Sequence, residues 1–141
     1  MSTRSHIGIV NSNNTISYVY CHWDGYPEHN GKILLNHYNN KEIINKLLDN
    51  GNISILGEQI DPSPDSPHTF SGKRQDNVCI FYFRERNEMG NEKRTVSSDI
   101  EYKMSRNYCD YQYLFDNGKW KYRNGHSEWM ELTPQVCRFG V

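Results

Sequence analysis

Thr15-Ile16-Ser17-Tyr18-Val19-Tyr20-Cys21-His22-Trp23-Asp24-Gly25-Tyr26-Pro27-Glu28-His29-Asn30-Gly31 decides how the rest of the chain is read. Its first half alternates and is rich in β-branched and aromatic residues, the pattern of a strand. Ile16, Tyr18, Tyr20 and His22 then share one face, and Ser17, Val19, Cys21 and Trp23 the other. Asp24 to Pro27 reads as a turn that sets Pro27 at a first helical position. Glu28 follows in the first turn, where a carboxylate suits the helix dipole. A strand, a tight turn and a helix start therefore sit together, carrying two imidazoles, two carboxylates and a thiol.

Working outward, Arg4 to Val10 reads as a strand and Asn11 to Asn14 as a turn, because Asn tolerates left-handed backbone angles. The two strands make a hairpin. The helix starting at Pro27 runs to Tyr38 with Gly31, Leu34, Leu35 and Tyr38 inward. A second, from Lys41 to Asp49, carries Ile43, Ile44, Leu47 and Leu48 and stops at Asn50-Gly51. Ile53, Ile55 and Leu56 suggest a short strand. Pro62, Pro64 and Pro67 mark 61–76 as an exposed loop. Asn77 to Arg84 is the most apolar strand pattern and is expected to be central. Ser98-Asp99-Ile100-Glu101 is a capping box opening a short helix. Tyr108 to Phe115 and Lys119 to Arg123 form a hairpin across Asn117-Gly118, and an apolar segment around Trp129 ends at Pro134. The expected fold is α+β: one compact domain, 1–141, with a mainly antiparallel sheet and two consecutive helices packed on one face.

The 141 residues carry a net charge of −1, which argues against nonspecific duplex binding. No apolar run approaches the roughly 20 residues of a membrane helix, and the start shows no signal-peptide pattern. The expected location is the cytosol, with Cys21, Cys79, Cys109 and Cys137 reduced. No CxxC pair indicates a zinc ribbon or redox motif, and no cofactor is expected.

The candidate site is the strand-to-helix rim. Helix starts attract anions, and His22, Trp23, Asp24, Tyr26, His29, Asn30 and Lys32 could hold a phosphate and stack a base. Arg4, His6, Arg84 and Arg86 are further anion contacts, since guanidinium forks match phosphate oxygens. Each has a plainer reading. Trp23 and Tyr26 would be core and Asp24 a turn cap, while Arg84 and Arg86 would pair with Glu85, Glu88 or Glu92. A metal held by Cys21, His22, Asp24 and His29 fits no familiar spacing, and Cys21 points away from His22. A Cys21 nucleophile cannot pair with His22 on an extended strand, although His29 could reach it, and such a thiol is more often a small buried hydrophobe. His22 and His29 as acid and base would make a metal-independent phosphodiesterase. The tyrosine-rich hairpin is either cross-strand packing or an exposed surface for inhibiting a host enzyme.

Two segments carry a resemblance: Met1-Ser2-Thr3-Arg4-Ser5-His6-Ile7-Gly8, and Tyr20-Cys21-His22-Trp23-Asp24-Gly25-Tyr26-Pro27-Glu28-His29-Asn30-Gly31 with Lys32-Ile33-Leu34-Leu35. Together they resemble a family of small tailed-bacteriophage proteins of uncharacterised activity, over about the first third of the chain. Tyr113 to Trp120 matches more loosely. The resemblance implies a phage accessory protein. By analogy with other such proteins, it would be a homo-oligomeric sponge that sequesters a nucleotide immune signal in the host cytosol without cleaving it.

Overall fold

A computed structural model describes residues 2–138. Eight strands and four helices alternate through them: β1 (Ser5–Val10), β2 (Ile16–Cys21), α1 (Lys32–His37), α2 (Lys41–Asp49), β3 (Ile53–Ile55), β4 (Ile80–Phe81), β5 (Arg94–Val96), α3 (Asp99–Met104), β6 (Tyr111–Asp116), β7 (Lys119–Asn124), β8 (Met130–Glu131) and α4 (Pro134–Arg138). The strands form one mixed, mainly antiparallel sheet in the order β4-β3-β2-β1-β6-β7-β8, with β5 also paired to β2. Only β1–β6 and β2–β3 run parallel.

The two hairpins arise from local turn chemistry. Asn14 lies at φ 67° between β1 and β2, and Asn117 and Gly118 lie at 55° and 81° between β6 and β7. These angles match the right-handed twist of the flanking strands. Asn40 Oδ1 accepts from the Ile43 amide at 3.0 Å to cap α2, and Ser98 Oγ accepts from the Glu101 amide at 3.2 Å to cap α3.

Strand alternation divides the core. Ile7, Ile9, Val19, Cys21 and Tyr113 belong to a large cluster that also takes in Leu34, Tyr38, Ile44, Leu47 and Leu48. Ile16, Tyr18 and Leu114 belong to a smaller one with Tyr102 of α3. Gly8 makes that second contact possible. A Cβ there would lie 3.1 Å from the Tyr102 ring and hydroxyl, so the missing side chain lets the ring lie on the sheet, where its hydroxyl donates to the Tyr113 carbonyl at 2.7 Å.

Three expectations need correction. Asn77 to Arg84 is not a central strand; only Ile80 and Phe81 pair, at one end of the sheet. The chain turns because Glu85 Oε1 accepts from the Phe81 amide at 2.8 Å and Arg84 Nη2 donates back to the Cys79 carbonyl at 3.1 Å. The apolar run is buried by that turn rather than by a sheet interior. The helix at Pro27 begins instead as a π-helical turn, Pro27–Gly31, before α1. Pro134 opens a helix, α4, where a stop was expected, since proline suits a first turn. In the tyrosine-rich hairpin, which the sequence leaves open between packing and surface, Tyr113, Trp120 and Tyr122 are buried as packing, whereas Tyr108, ahead of β6, is exposed. No helix among the described residues is long and apolar enough to cross a membrane.

Candidate functional site

The expected rim is largely occupied with holding itself together. Asn30 is fully buried, and its Nδ2 donates to the Trp23 carbonyl at 3.1 Å and toward Cys21 Sγ at 3.3 Å. Its Oδ1 faces His29 Nδ1 at 2.9 Å. The amides a helix start would offer an anion are engaged: His29 N–H donates to the Tyr26 carbonyl and Asn30 N–H to the Asp24 carbonyl. The π-helical turn causes this, because its wider loop folds back onto Asp24, which sits at φ 57°. Tyr26 donates its hydroxyl to Asp24 Oδ1 at 3.3 Å. Asn30→Ala is expected to cost about 1–3 kcal/mol by orphaning the Trp23 carbonyl, measured by urea unfolding, while leaving ligand affinity unchanged.

The remaining candidates separate. Arg84 is bound to Asp61, Glu85 and the Cys79 carbonyl and lies over the Phe81 ring. Arg86 pairs with Glu88 and lies over Phe70. Lys32 is exposed. His29 lines a small cavity with Ile33, Ile55 and Arg74, which His22 does not line. Among the described residues, no three His, Cys, Asp or Glu side chains gather as a metal centre requires. All four cysteines are free and buried. Burial pushes the Cys21 and Cys109 thiols up to about 12, so neither is a ready nucleophile.

Two of the expected residues, Arg4 and His6, do come together, in a cavity of about 300 Å³. Its floor is Tyr18 and Tyr20 of β2, which alternation puts on the same face as His6. Arg94 of β5 enters beside Tyr18, its register partner. Asn52 closes one side and Asn107, Tyr108 and Cys109 another. Tyr108 is 84% exposed, an aromatic face left in solvent at the cavity. No carboxylate lines it, and neither Arg4 nor Arg94 has a carboxylate partner among the described residues. The nearest acid, Asp110, accepts from the Arg4 backbone amide at 3.1 Å.

The electrostatics follow from this surplus. Burial and the Arg94 charge hold His6 down at about 4, so its ring is neutral near pH 7. Partial burial, with the Arg4 charge, lowers His22 as well. Burial pushes Tyr20 up to about 12, and its hydroxyl lies 2.6 Å from His22 Nδ1. The phenol therefore keeps its proton near pH 7 and shares one hydrogen bond with the His22 ring. Trp23 stands edge-on to His22 at 4.7 Å. Part of the sequence motif thus adjoins the cavity through Tyr20.

His6 also ties stability to pH. Its folded value lies below the unfolded 6.5, so as pH falls the unfolded chain takes up the proton first. Stability present above pH 6.5 is expected to fall as pH drops toward 4, by at most about 3 kcal/mol from this group. His6→Gln should flatten that part of a stability–pH curve measured by chemical denaturation.

The residues that sequence reading missed are Tyr18, Tyr20, Asn52, Arg94, Asn107 and Tyr108. The strand pattern already placed Tyr18 and Tyr20 on the His22 face; what carried no signal was the pairing that brings Arg94 to them. Comparisons with protein-family models, with curated proteins and with solved structures find no match.

Proposed function

We propose that the protein binds a small anionic nucleotide in the cavity between Arg4 and Arg94. The observation that carries this reading is a pair of guanidinium groups without carboxylate partners at one tyrosine-lined cavity. Guanidinium forks suit phosphate oxygens, and Tyr108, Tyr18 and Tyr20 offer aromatic surface to a base. Binding without cleavage fits the site better than hydrolysis. Neither His22 nor His29, the pair of the acid–base alternative, lines this cavity, and the cavity thiol is held protonated. Tyr113, Trp120 and Tyr122 are buried, which leaves the host-enzyme inhibitor reading little aromatic surface on that hairpin beyond Tyr108.

The biological setting rests on the sequence resemblance. In this reading the chain is a phage accessory protein that sequesters a nucleotide signal of host defence in the cytosol, as a homo-oligomer. On the same reading the two consecutive helices, α1 and α2, pack on one sheet face, and the ligand shares the other with Tyr102 of α3. Calorimetric titration with a panel of nucleoside phosphates, cyclic nucleotides and NAD-derived molecules tests it. Micromolar or tighter binding of at least one, recovered chemically intact after denaturation, is the expected result. Recovery of a cleaved product would favour the hydrolase, and no heat with any member would overturn the reading.

A further inference from the structure

We infer that the anionic group held between Arg4 and Arg94 is a terminal phosphomonoester rather than a phosphodiester, with His6 as a neutral third donor. The inference rests on the nucleotide-binding reading and adds the chemistry of the bound group.

Charge matching gives the first argument. The lining supplies two positive charges and no negative one. A phosphomonoester carries about −1.5 to −2 near pH 7 because its second pKa is about 6, while a diester carries a single charge. A diester would match only one of the two guanidinium charges, whereas a dianionic monoester can accept from both.

The second argument is how His6 is held. Gln112 is fully buried beneath it. Arg123 Nη1 donates to Gln112 Oε1 at 2.6 Å, and guanidinium has only donors, so the amide orientation is fixed. Gln112 Nε2 must then face the Tyr102 carbonyl at 2.7 Å and His6 Nδ1 at 3.3 Å. His6 Nδ1 is therefore an acceptor, and the proton of the neutral ring sits on Nε2. That N–H has no protein partner among the described residues, and the ring lines the cavity. Gln112 and Arg123 thus position His6 to offer a donor without a charge, and phosphate oxygens are pure acceptors. The groups facing the ring from other elements are Arg94, Tyr18, Tyr102, Gln112 and, across the cavity, Arg4. None is acidic.

Size gives the third. A volume of about 300 Å³ lies at the lower end of small-molecule sites and suits one nucleoside unit.

The test is calorimetry at pH 5.0 and pH 7.5 with nucleoside 5′-monophosphates, their 3′,5′-cyclic diesters and a cyclic dinucleotide. The expected result at pH 7.5 is at least about tenfold tighter binding of a monoester than of its cyclic diester, the contribution of one charge-assisted hydrogen bond. That advantage should shrink at pH 5.0, where the monoester loses its second charge. Equal or tighter binding of a cyclic diester, or of the cyclic dinucleotide alone, would overturn this inference and leave nucleotide binding standing. Silence from every probe would overturn both. Monoester affinity that rises as pH falls through 6.5 would show a protonated imidazole as the contact and would also overturn it. Gln112→Glu gives a second readout. Its carboxylate can only accept, so His6 Nδ1 becomes a donor, the imidazolium is favoured, and the affinity optimum should move to lower pH. An unmoved optimum in the folded variant would contradict the positioning role; should the variant not fold, the wild-type comparison still decides.

Discussion

Alanine at both Arg4 and Arg94 is expected to weaken nucleotide binding by about 10²- to 10⁴-fold while barely changing stability. Each guanidinium would make a charge-assisted hydrogen bond contributing about 1.5–3 kcal/mol, and the two act on one ligand from different segments, Arg4 just ahead of β1 and Arg94 at the start of β5. Neither is in an ion pair with an acidic side chain among the described residues, so removing them orphans no buried carboxylate, and folding should shift within about 0.5 kcal/mol. Arg84→Ala provides the contrast. Arg84 is spent on Asp61, Glu85 and the Cys79 carbonyl, and the Glu85 side chain beside it is only 5% exposed. That variant should lower stability and leave affinity alone. Titration calorimetry and thermal unfolding of the three proteins separate these outcomes. Undiminished binding in the Arg4, Arg94 double variant would sink the site. Salt should weaken wild-type binding more than it weakens binding by the double variant, because an exposed part of the attraction is screened.

The contrast between Arg84 and Arg94 also shows what the sequence could and could not tell. Each has an acid close by in the chain, Glu85 beside Arg84 and Glu92 two residues before Arg94. Which of them is free depends on contacts made far away in sequence. Arg94 reaches the cavity because β5 pairs with β2, joining residues 78 apart, as in the Ser17–Thr95 hydroxyl contact. Arg84 is neutralised by Asp61 across the long loop. Local signals were legible: alternation around Tyr18, the left-handed Asn14 and Asn117, the Ser98 cap. Each depends on a few consecutive residues. The parallel pairing of β1 with β6 depends on none, since it brings Ser5 beside Tyr111. The motif from Tyr20 to Gly31 looked functional because it is dense in polar groups. Much of that density is internal. A turn that buries Asn30 and packs Gly25 so closely that an added Cβ would lie 2.8 Å from the Ser5 Cβ needs its own donors and acceptors satisfied. Only its first residues, Tyr20 and His22, lead toward the cavity.

Gly51→Ala is expected to have the largest effect on stability, about 3–5 kcal/mol, enough to lower the midpoint of thermal unfolding by roughly 10 °C or more. Two costs coincide there. Gly51 lies at φ 81°, where any Cβ costs about 1–2 kcal/mol. An added Cβ would also sit 2.2 Å from the Asn91 carbonyl oxygen, a backbone atom that cannot move without loss. That same carbonyl accepts from the Asn52 amide at 2.7 Å, and Asn52 Nδ2 bonds Asn91 Oδ1 at 3.1 Å. Relieving the collision therefore means breaking the clamp between the end of α2 and the segment leading into β5. Gly118→Ala isolates the first cost, since Gly118 has the same φ of 81° with nothing near the added atom; it should lose only about 1–2 kcal/mol. Equal losses at the two positions would mean that the Asn91 contact is not rigid. The difference also bears on function. Asn52 Oδ1 accepts from the Tyr20 amide at 2.9 Å, and Asn52 lines the cavity. A Gly51 variant that still folds should therefore bind nucleotide more weakly, whereas Gly118→Ala should bind as the wild type does.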